Sequence, residues 1–338
     1  MQSIVNEPVK FSPFVLYLKD NPTRNRNPDN INELYTYSVE GNTFFLTKIN
    51  EKDYGPFNAL YNRSVNVGNN TLMITGGTVR TEKNSTLINA CYLISWDYEN
   101  NNFSHLSNYR ILVRPYANMV EERSRHNILY LPNKNAVFCC STIDKKPNFT
   151  SEITYLNNTN ASWKLLRPKL EQSRGNATMA YISERYIYCI AGFQYEGSEY
   201  LKSMEYLDYD NMNNVDKWTY ICFKNYPSLK DLGGKCTMGV IHIKNNDFII
   251  FGGFDGSNNY CKDAYEVNFN PQMPAMSVVK KVELDNVGDV NIFYSQNFLC
   301  IGDGRYVNFN LKCSRYLYIA NSKSFNISNP NEAIEYNK

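Results

Sequence analysis

Short apolar runs, each stopped by glycine or a small residue and followed by a polar loop and an alternating run, recur along this chain. The clearest copy is Phe248 to Asn270, FIIFGGFDGSNNYCKDAYEVNFN. Large apolar residues Phe248 to Phe251 halt at Gly252-Gly253, and after the loop Ala264 to Phe269 alternates apolar with polar. A run this short followed by a period of two predicts strand, special turn, strand. A glycine pair closing a strand predicts positive φ or a close backbone approach, where a Cβ would cost roughly 1 to 3 kcal/mol.

Weaker copies share the pattern. Leu72 to Gly77 repeats the Gly76-Gly77 doublet, Tyr188 to Gly192 keeps Gly192 behind a small residue, and Phe298 to Gly302 keeps Gly302 before Asp303. Val137 to Thr142 and Phe14 to Leu18 fall at the expected places without glycine. In the strand after each run stands a tyrosine, within one register position: Tyr35, Tyr92, Tyr155, Tyr206, Tyr265 and Tyr316. A bulky residue follows in a further strand: Phe45, Phe103, Trp163, Trp218, Met276 and Phe325. These markers define six units of about 50 to 65 residues.

The chain resembles the kelch-repeat family on these residues: Gly76, Gly77, Gly252 and Gly253, Tyr92, Tyr206 and Tyr265, Trp163 and Trp218. The family's unit is a four-stranded propeller blade with a diglycine ending the second strand, a tyrosine in the third and a tryptophan near the fourth. The resemblance implies an all-β, six-bladed kelch-type β-propeller of four-stranded antiparallel blades. Residues 1–328 are expected to form one domain, with blades near 1–50, 58–107, 123–166, 174–223, 234–283 and 288–328 and a tail at 329–338. The 338 residues suit a closed all-β ring, and closure removes edges that template aggregation.

Composition narrows function. A net charge of +2 and pI near 7.9 argue against a bulk nucleic-acid binder, and no stretch approaches the roughly 20 apolar residues of a membrane span. The amino terminus has no basic stretch followed by an apolar core, so a cytoplasmic protein is expected, with cytoskeletal association a further expectation. Nine cysteines without a C-x-x-C pair, several inside apolar strands, read as buried thiols.

Catalytic chemistry finds few residues. His242 is expected on an innermost strand, His105 on an outer one, and His126 on a polar surface beside Arg123 and Arg125. The residue set of a copper oxidase, an iron-binding kelch specifier spacing and sialidase-type Asp boxes cannot be assembled from the sequence. The expectation is no enzyme, no cofactor and no metal. A propeller enzyme with a site at the channel mouth is the alternative from another class.

Loop lengths carry the positive reading. Within a blade, the loop from second to third strand and the connection to the next blade share one face, and both are expected to be long. Second-to-third loops at 19–32, 78–88, 142–151, 194–202, 255–262 and 304–313 hold 11 Lys/Arg against 7 Asp/Glu. Connections at 51–57, 108–125, 167–174, 224–235 and 284–289 hold 11 against 8. That is an excess of seven on this face, leaving −5 elsewhere. A basic face bearing tyrosines suits an acidic protein surface or peptide, since arginine pairs carboxylates bidentately and tyrosine supplies rigid contact area. The candidate contacts are Arg80, Arg110, Arg114, Arg125, Lys145, Arg174, Tyr195, Tyr260 and Arg305. The expected role is a non-enzymatic protein-interaction module, a scaffold or cytoskeleton-associated component. A ubiquitin-ligase substrate receptor is the alternative within that class.

Overall fold

The computed structural model describes residues 59–303 with short interruptions, together with the strands Phe14–Tyr17, Glu33–Glu40 and Thr43–Lys48. Among these residues the chain is all-β, with short 3-10 turns and no α-helix. The strands form six successive antiparallel sheets, numbered I to VI in chain order, and a separate two-stranded ribbon, Phe193–Gln194 with Glu199–Tyr200, in the connection between the second and third strands of sheet IV. Sheet I holds the three strands just named. Sheet II holds Arg63–Asn66, Thr71–Arg80, Ser85–Tyr98 and Tyr109–Tyr116, with Ala59–Leu60 extending its inner side. Sheet III holds Asn127–Leu131, Ala136–Thr142, Asn148–Tyr155 and Trp163–Leu165. Sheet IV holds Thr178–Ile182, Tyr186–Ile190, Ser203–Asp208 and Thr219–Cys222. Sheet V holds Gly239–Lys244, Asp247–Phe251, Asp263–Asn270 and Ala275–Glu283; sheet VI holds Val290–Ser295 and Phe298–Asp303.

In sheets III, IV and V the spatial order of the strands is the chain order, so each pairing is a local hairpin. First strands of neighbouring sheets from II to VI lie against one another. The sheets stack face to face, which explains why the second strands read as unbroken apolar runs. In Ala136–Thr142 every residue is buried: Val137 and Cys139 pack with Met73, Cys91 and Met119 of sheet II and its connection, while Phe138 and Cys140 pack with Ile187, Cys189 and Trp218 of sheet IV. A strand covered on both faces has no polar side to show. Full burial of a side chain such as Phe138 contributes about 1.5 to 3 kcal/mol.

The glycine doublets mark a repeated backbone conformation. Gly76 has φ +58° and Gly77 +117°, and an added Cβ on Gly76 would stand 2.4 Å from the Arg123 carbonyl oxygen. The same step in sheet III is Ser141 at +57°, and in sheet IV Ala191 at +51° followed by Gly192 at +99°. Sheet III therefore keeps the left-handed turn without glycine. In sheet V the doublet's second member, Gly253, has φ +96°, with the Cys236 carbonyl oxygen 2.7 Å from where its Cβ would be; Gly252 lies outside the described residues.

Several expectations need correction. Tyr109–Tyr116 is the outer strand of sheet II, paired with Cys91 to Tyr98, so this sheet runs past 107 and Arg110 and Arg114 sit on a strand instead of a connection. The tyrosine register holds only in part. Tyr92 lies opposite Ile74 and Tyr265 opposite Ile250, each two residues before its doublet. The equivalent third-strand positions in sheets III and IV are Glu152, opposite Cys139, and Glu205, opposite Cys189. Tyr206 stands one residue further on and stacks on Tyr188, while Tyr155 stands three further on and is exposed. Trp163 and Trp218 are buried as core residues. Tyr35 pairs with Val15 in sheet I, Gly302 lies in Phe298–Asp303, and Tyr316 is outside the described residues.

Candidate interaction face

Each sheet of the III to V series begins its first strand and ends its second at the same edge. The long connections gather there, and the opposite edge carries tight turns such as Pro132–Lys134 and residues 183–185. What the sequence did not reveal is how those connections are held. Four residues before the first strand of sheet III stands Arg123, four before sheet IV Arg174, and four before sheet V Lys235. All three are buried.

Arg123 gives its Nε proton to Glu152 at 2.6 Å, its Nη1 proton to the Ser141 carbonyl at 3.0 Å and its Nη2 proton to Thr150 Oγ1 at 2.8 Å. Arg174 repeats the arrangement, donating to Glu205 at 2.7 Å, to the Ala191 carbonyl at 3.0 Å and to the Ser203 carbonyl at 3.1 Å. The carbonyls it reaches include the first member of the left-handed step, Ser141 or Ala191. The two glutamates bind the incoming connection in turn. Glu152 accepts the Val120 N–H at 2.7 Å; Glu205 accepts those of Glu171 at 2.6 Å and Gln172 at 3.1 Å. In sheet V, Lys235 Nζ lies 3.1 Å from the Tyr265 hydroxyl and 3.4 Å from Asp263, and Tyr265 donates to Asp263 at 2.9 Å. Each buried charge thus meets an opposite charge, the condition under which burial is tolerated, although Arg174 Nε itself has no hydrogen-bond partner.

A carboxylate beside the first pair is arranged the same way. Burial pushes the Glu121 carboxyl up, but the Thr150 hydroxyl, the Asn148 amide and the Arg123 charge together hold it below its ordinary 4.5. Its counterpart in the next connection, Gln172, accepts from Arg174 at 3.3 Å and from Ser203 at 2.6 Å.

These bonds redraw the expected contact set. Arg174 is fully buried and ion-paired with Glu205, so it is not available to a partner. Removing the buried Arg123, Arg174 and Lys235 from the connection cations, together with Arg110 and Arg114 that lie on a strand, lowers the face's excess from seven to two. Arg114 is exposed on its strand, with Nη2 3.4 Å from Ser95 Oγ, and Arg110 pairs opposite Asp97. Arg125 is half-buried at φ +51°; Arg80 closes the hairpin opposite Ser85. Lys145, Tyr195, Tyr260 and Arg305 lie outside the described residues. The connection at 224–235 is also ordered, as 3-10 turns Phe223–Asn225 and Pro227–Leu232 that bury Phe223, Leu229 and Leu232.

His126 is buried instead of joining a polar surface. Its Nε2 lies 2.7 Å from Thr75 Oγ1, and Nδ1 has no hydrogen-bond partner. Burial, then the charges of Arg123 and Arg63, hold its pKa well below the usual 6.5, so the ring is neutral. Cys91, Cys139, Cys140, Cys189 and Cys236 are buried free thiols, and burial pushes Cys91 up to about 12. Among the described residues no group of three or more His, Cys, Asp or Glu could hold a metal, and no helix is long and apolar enough to cross a membrane.

No protein family matches the chain, and no curated protein does. The chain is similar to a solved structure, "Structure of YjhT", at 12% identity and a TM-score of 0.52, over 80% of this chain and 83% of that one. Likeness at that identity is likeness of fold.

Proposed function

We propose that the chain is a six-bladed kelch-type β-propeller that works as a non-enzymatic protein-interaction module, docking an acidic partner on its long-loop face as part of a larger assembly. Sheets II to V are its complete blades and sheets I and VI belong to the other two. The run of first strands, each against the next, supports a ring about one axis.

The observation that carries the reading is the repeated anchoring of the connections by Arg123, Arg174 and Lys235. A loop whose base is tied by buried, charge-assisted hydrogen bonds presents its tip without an ordering cost on binding, which is how a preformed surface gains affinity. Remaining cations on the face steer an acidic partner in a salt-dependent way.

The test is affinity capture from a native extract with wild-type protein and with a folded Arg80/Arg125/Lys145 to Glu variant. Loss of an acidic partner supports the reading; identical partner sets at both charge states refute it. Stoichiometric copper, iron or zinc in the purified protein would favour the enzyme alternative instead.

A further inference from the structure

The connection from sheet IV to sheet V carries cations that its buried pair does not use. Lys235 is spent on Tyr265 and Asp263, but Lys224 and Lys230 are exposed, and Asp231 is the only carboxylate between 223 and 235. Lys202, the residue before the third strand of sheet IV, stands at the same edge and is exposed too. Its carbonyl accepts the Phe223 N–H at 3.0 Å, and a Cβ on Gly233 would come within 3.1 Å of its Cα. Backbone contact thus fixes Lys202 beside both ends of the connection.

Among the described residues none of these three ammonium groups has a carboxylate or hydrogen-bond partner. Around the preceding connection exposed cations do find one: Arg167 pairs with Asp216, and Lys217 with Glu171 at 3.2 Å. Between Lys224 and Lys230 stands Tyr226, 38% exposed. Its N–H donates to the Phe223 carbonyl at 3.0 Å, its carbonyl accepts the Leu229 N–H at 2.9 Å, and Pro227 follows it. Buried Phe223, Leu229 and Leu232 seat the two turns on either side, so the ring is carried on a fixed backbone. An aromatic held this way loses little freedom when a partner covers it.

We propose that Lys202, Lys224 and Lys230, with Tyr226, form the docking centre of the long-loop face and receive an acidic segment of the partner that also carries an apolar side chain. Ammonium groups are point charges that meet carboxylates singly, and the tyrosine ring supplies apolar contact. A polynucleotide fits less well. The whole chain carries only +2, so beyond these three cations a long polyanion meets a surface with no net positive charge. This rests on the docking reading above and names its centre, none of whose four residues is among the candidates drawn from the sequence.

The experiment uses the full chain, a fluorescein-labelled (Glu-Glu-Leu)3 peptide as probe, and anisotropy titrations at low salt. Wild type is compared with Lys202→Gln, with Tyr226→Ala and with two double variants that lose equal charge, K224Q/K230Q and K164Q/K169Q. All six substituted side chains are exposed, so every variant should keep the wild-type thermal midpoint. Affinity is expected to fall about tenfold in K224Q/K230Q and about threefold in Lys202→Gln and Tyr226→Ala, and to stay near wild type in K164Q/K169Q. Equal losses in the two double variants would reduce the attraction to net charge, overturning the patch and leaving the docking reading standing. No wild-type binding would overturn both. Loss of affinity in K224Q/K230Q only together with a lowered midpoint would make these lysines structural, and full affinity in Tyr226→Ala would remove the ring; either overturns the patch. So would displacement of the peptide by oligothymidylate at equal concentration, which would assign the cations to phosphate.

Discussion

Replacing Arg174 by Met tests whether the buried ion pairs hold the connections. The guanidinium donates to Glu205, to the Ala191 and Ser203 carbonyls and to Ser203 Oγ, and its side chain is fully buried. Met keeps the stem and removes the charge, leaving the Glu205 carboxylate buried with only the backbone N–H groups of Glu171 and Gln172 as donors. Breaking such a pair from one side costs about 3 to 5 kcal/mol, because the remaining charge is uncompensated. Glu205→Leu alone strands the arginine instead and should cost a similar amount. In the double variant neither charge remains, but the Glu171 and Gln172 N–H groups and the Ala191 carbonyl lose partners, at about 1 to 3 kcal/mol for each group left buried and unsatisfied. The double variant should therefore be less destabilised than the sum of the singles by at least about 2 kcal/mol. Urea unfolding followed by the fluorescence of the buried Trp163 and Trp218 reads these differences. Single variants that lose under about 1 kcal/mol, or a strictly additive pair, would refute the reasoning.

Four further outcomes are expected. Because the folded pKa of His126 is depressed, its contribution to stability is present above the unfolded value of 6.5 and falls away as pH drops below it. His126→Asn should lose that part of the slope between about pH 7.5 and 5.5 in thermal melts, and an unchanged slope would contradict the buried neutral ring. Gly76→Ala should cost at least about 2 kcal/mol, since it combines left-handed strain with a 2.4 Å approach to the Arg123 carbonyl. Gly68→Ala, at φ +79° with open space around it, should cost only about 1 kcal/mol in the same unfolding assay. Glu121, held low by its partners, contributes stability above pH 4.5 that disappears as pH falls through its folded value. Glu121→Gln, copying Gln172, should stay folded at neutral pH and show a flatter loss of stability in acid, as read by circular dichroism.

The strands were legible because their cause is local. Apolar runs such as Val137 to Cys140 and Phe248 to Phe251 appear where the sequence places them, since a strand sandwiched between sheets needs apolar side chains on both faces. The turn ending each second strand was legible from glycine where glycine stands, and Ser141 and Ala191 show that its conformation outlives the residue. The tyrosine series misled at Tyr155. A tyrosine in a strand looks alike at any register, whereas the position that matters faces Arg123 and is filled by Glu152. A glutamate inside an alternating strand reads as solvent-facing, so Glu152 and Glu205 gave no sign of burial. Their one signal was spacing: an arginine 29 or 31 residues ahead of a strand glutamate in two successive units.

The same spacing explains why charge counting overstated the basic face. A cation in a long connection was counted as solvated, yet where the chain enters a sheet its carbonyls and a glutamate converge on one buried point that only a cation can fill. Sheet V solves the problem with different residues: Lys235 replaces arginine, Tyr265 takes the glutamate position, and Asp263 supplies the negative charge from two residues earlier. An ammonium has no fork to match backbone carbonyls and carboxylate together, so the hydroxyl of Tyr265 relays between the two charges. Three connections with different sequences are thus tied by one electrostatic device.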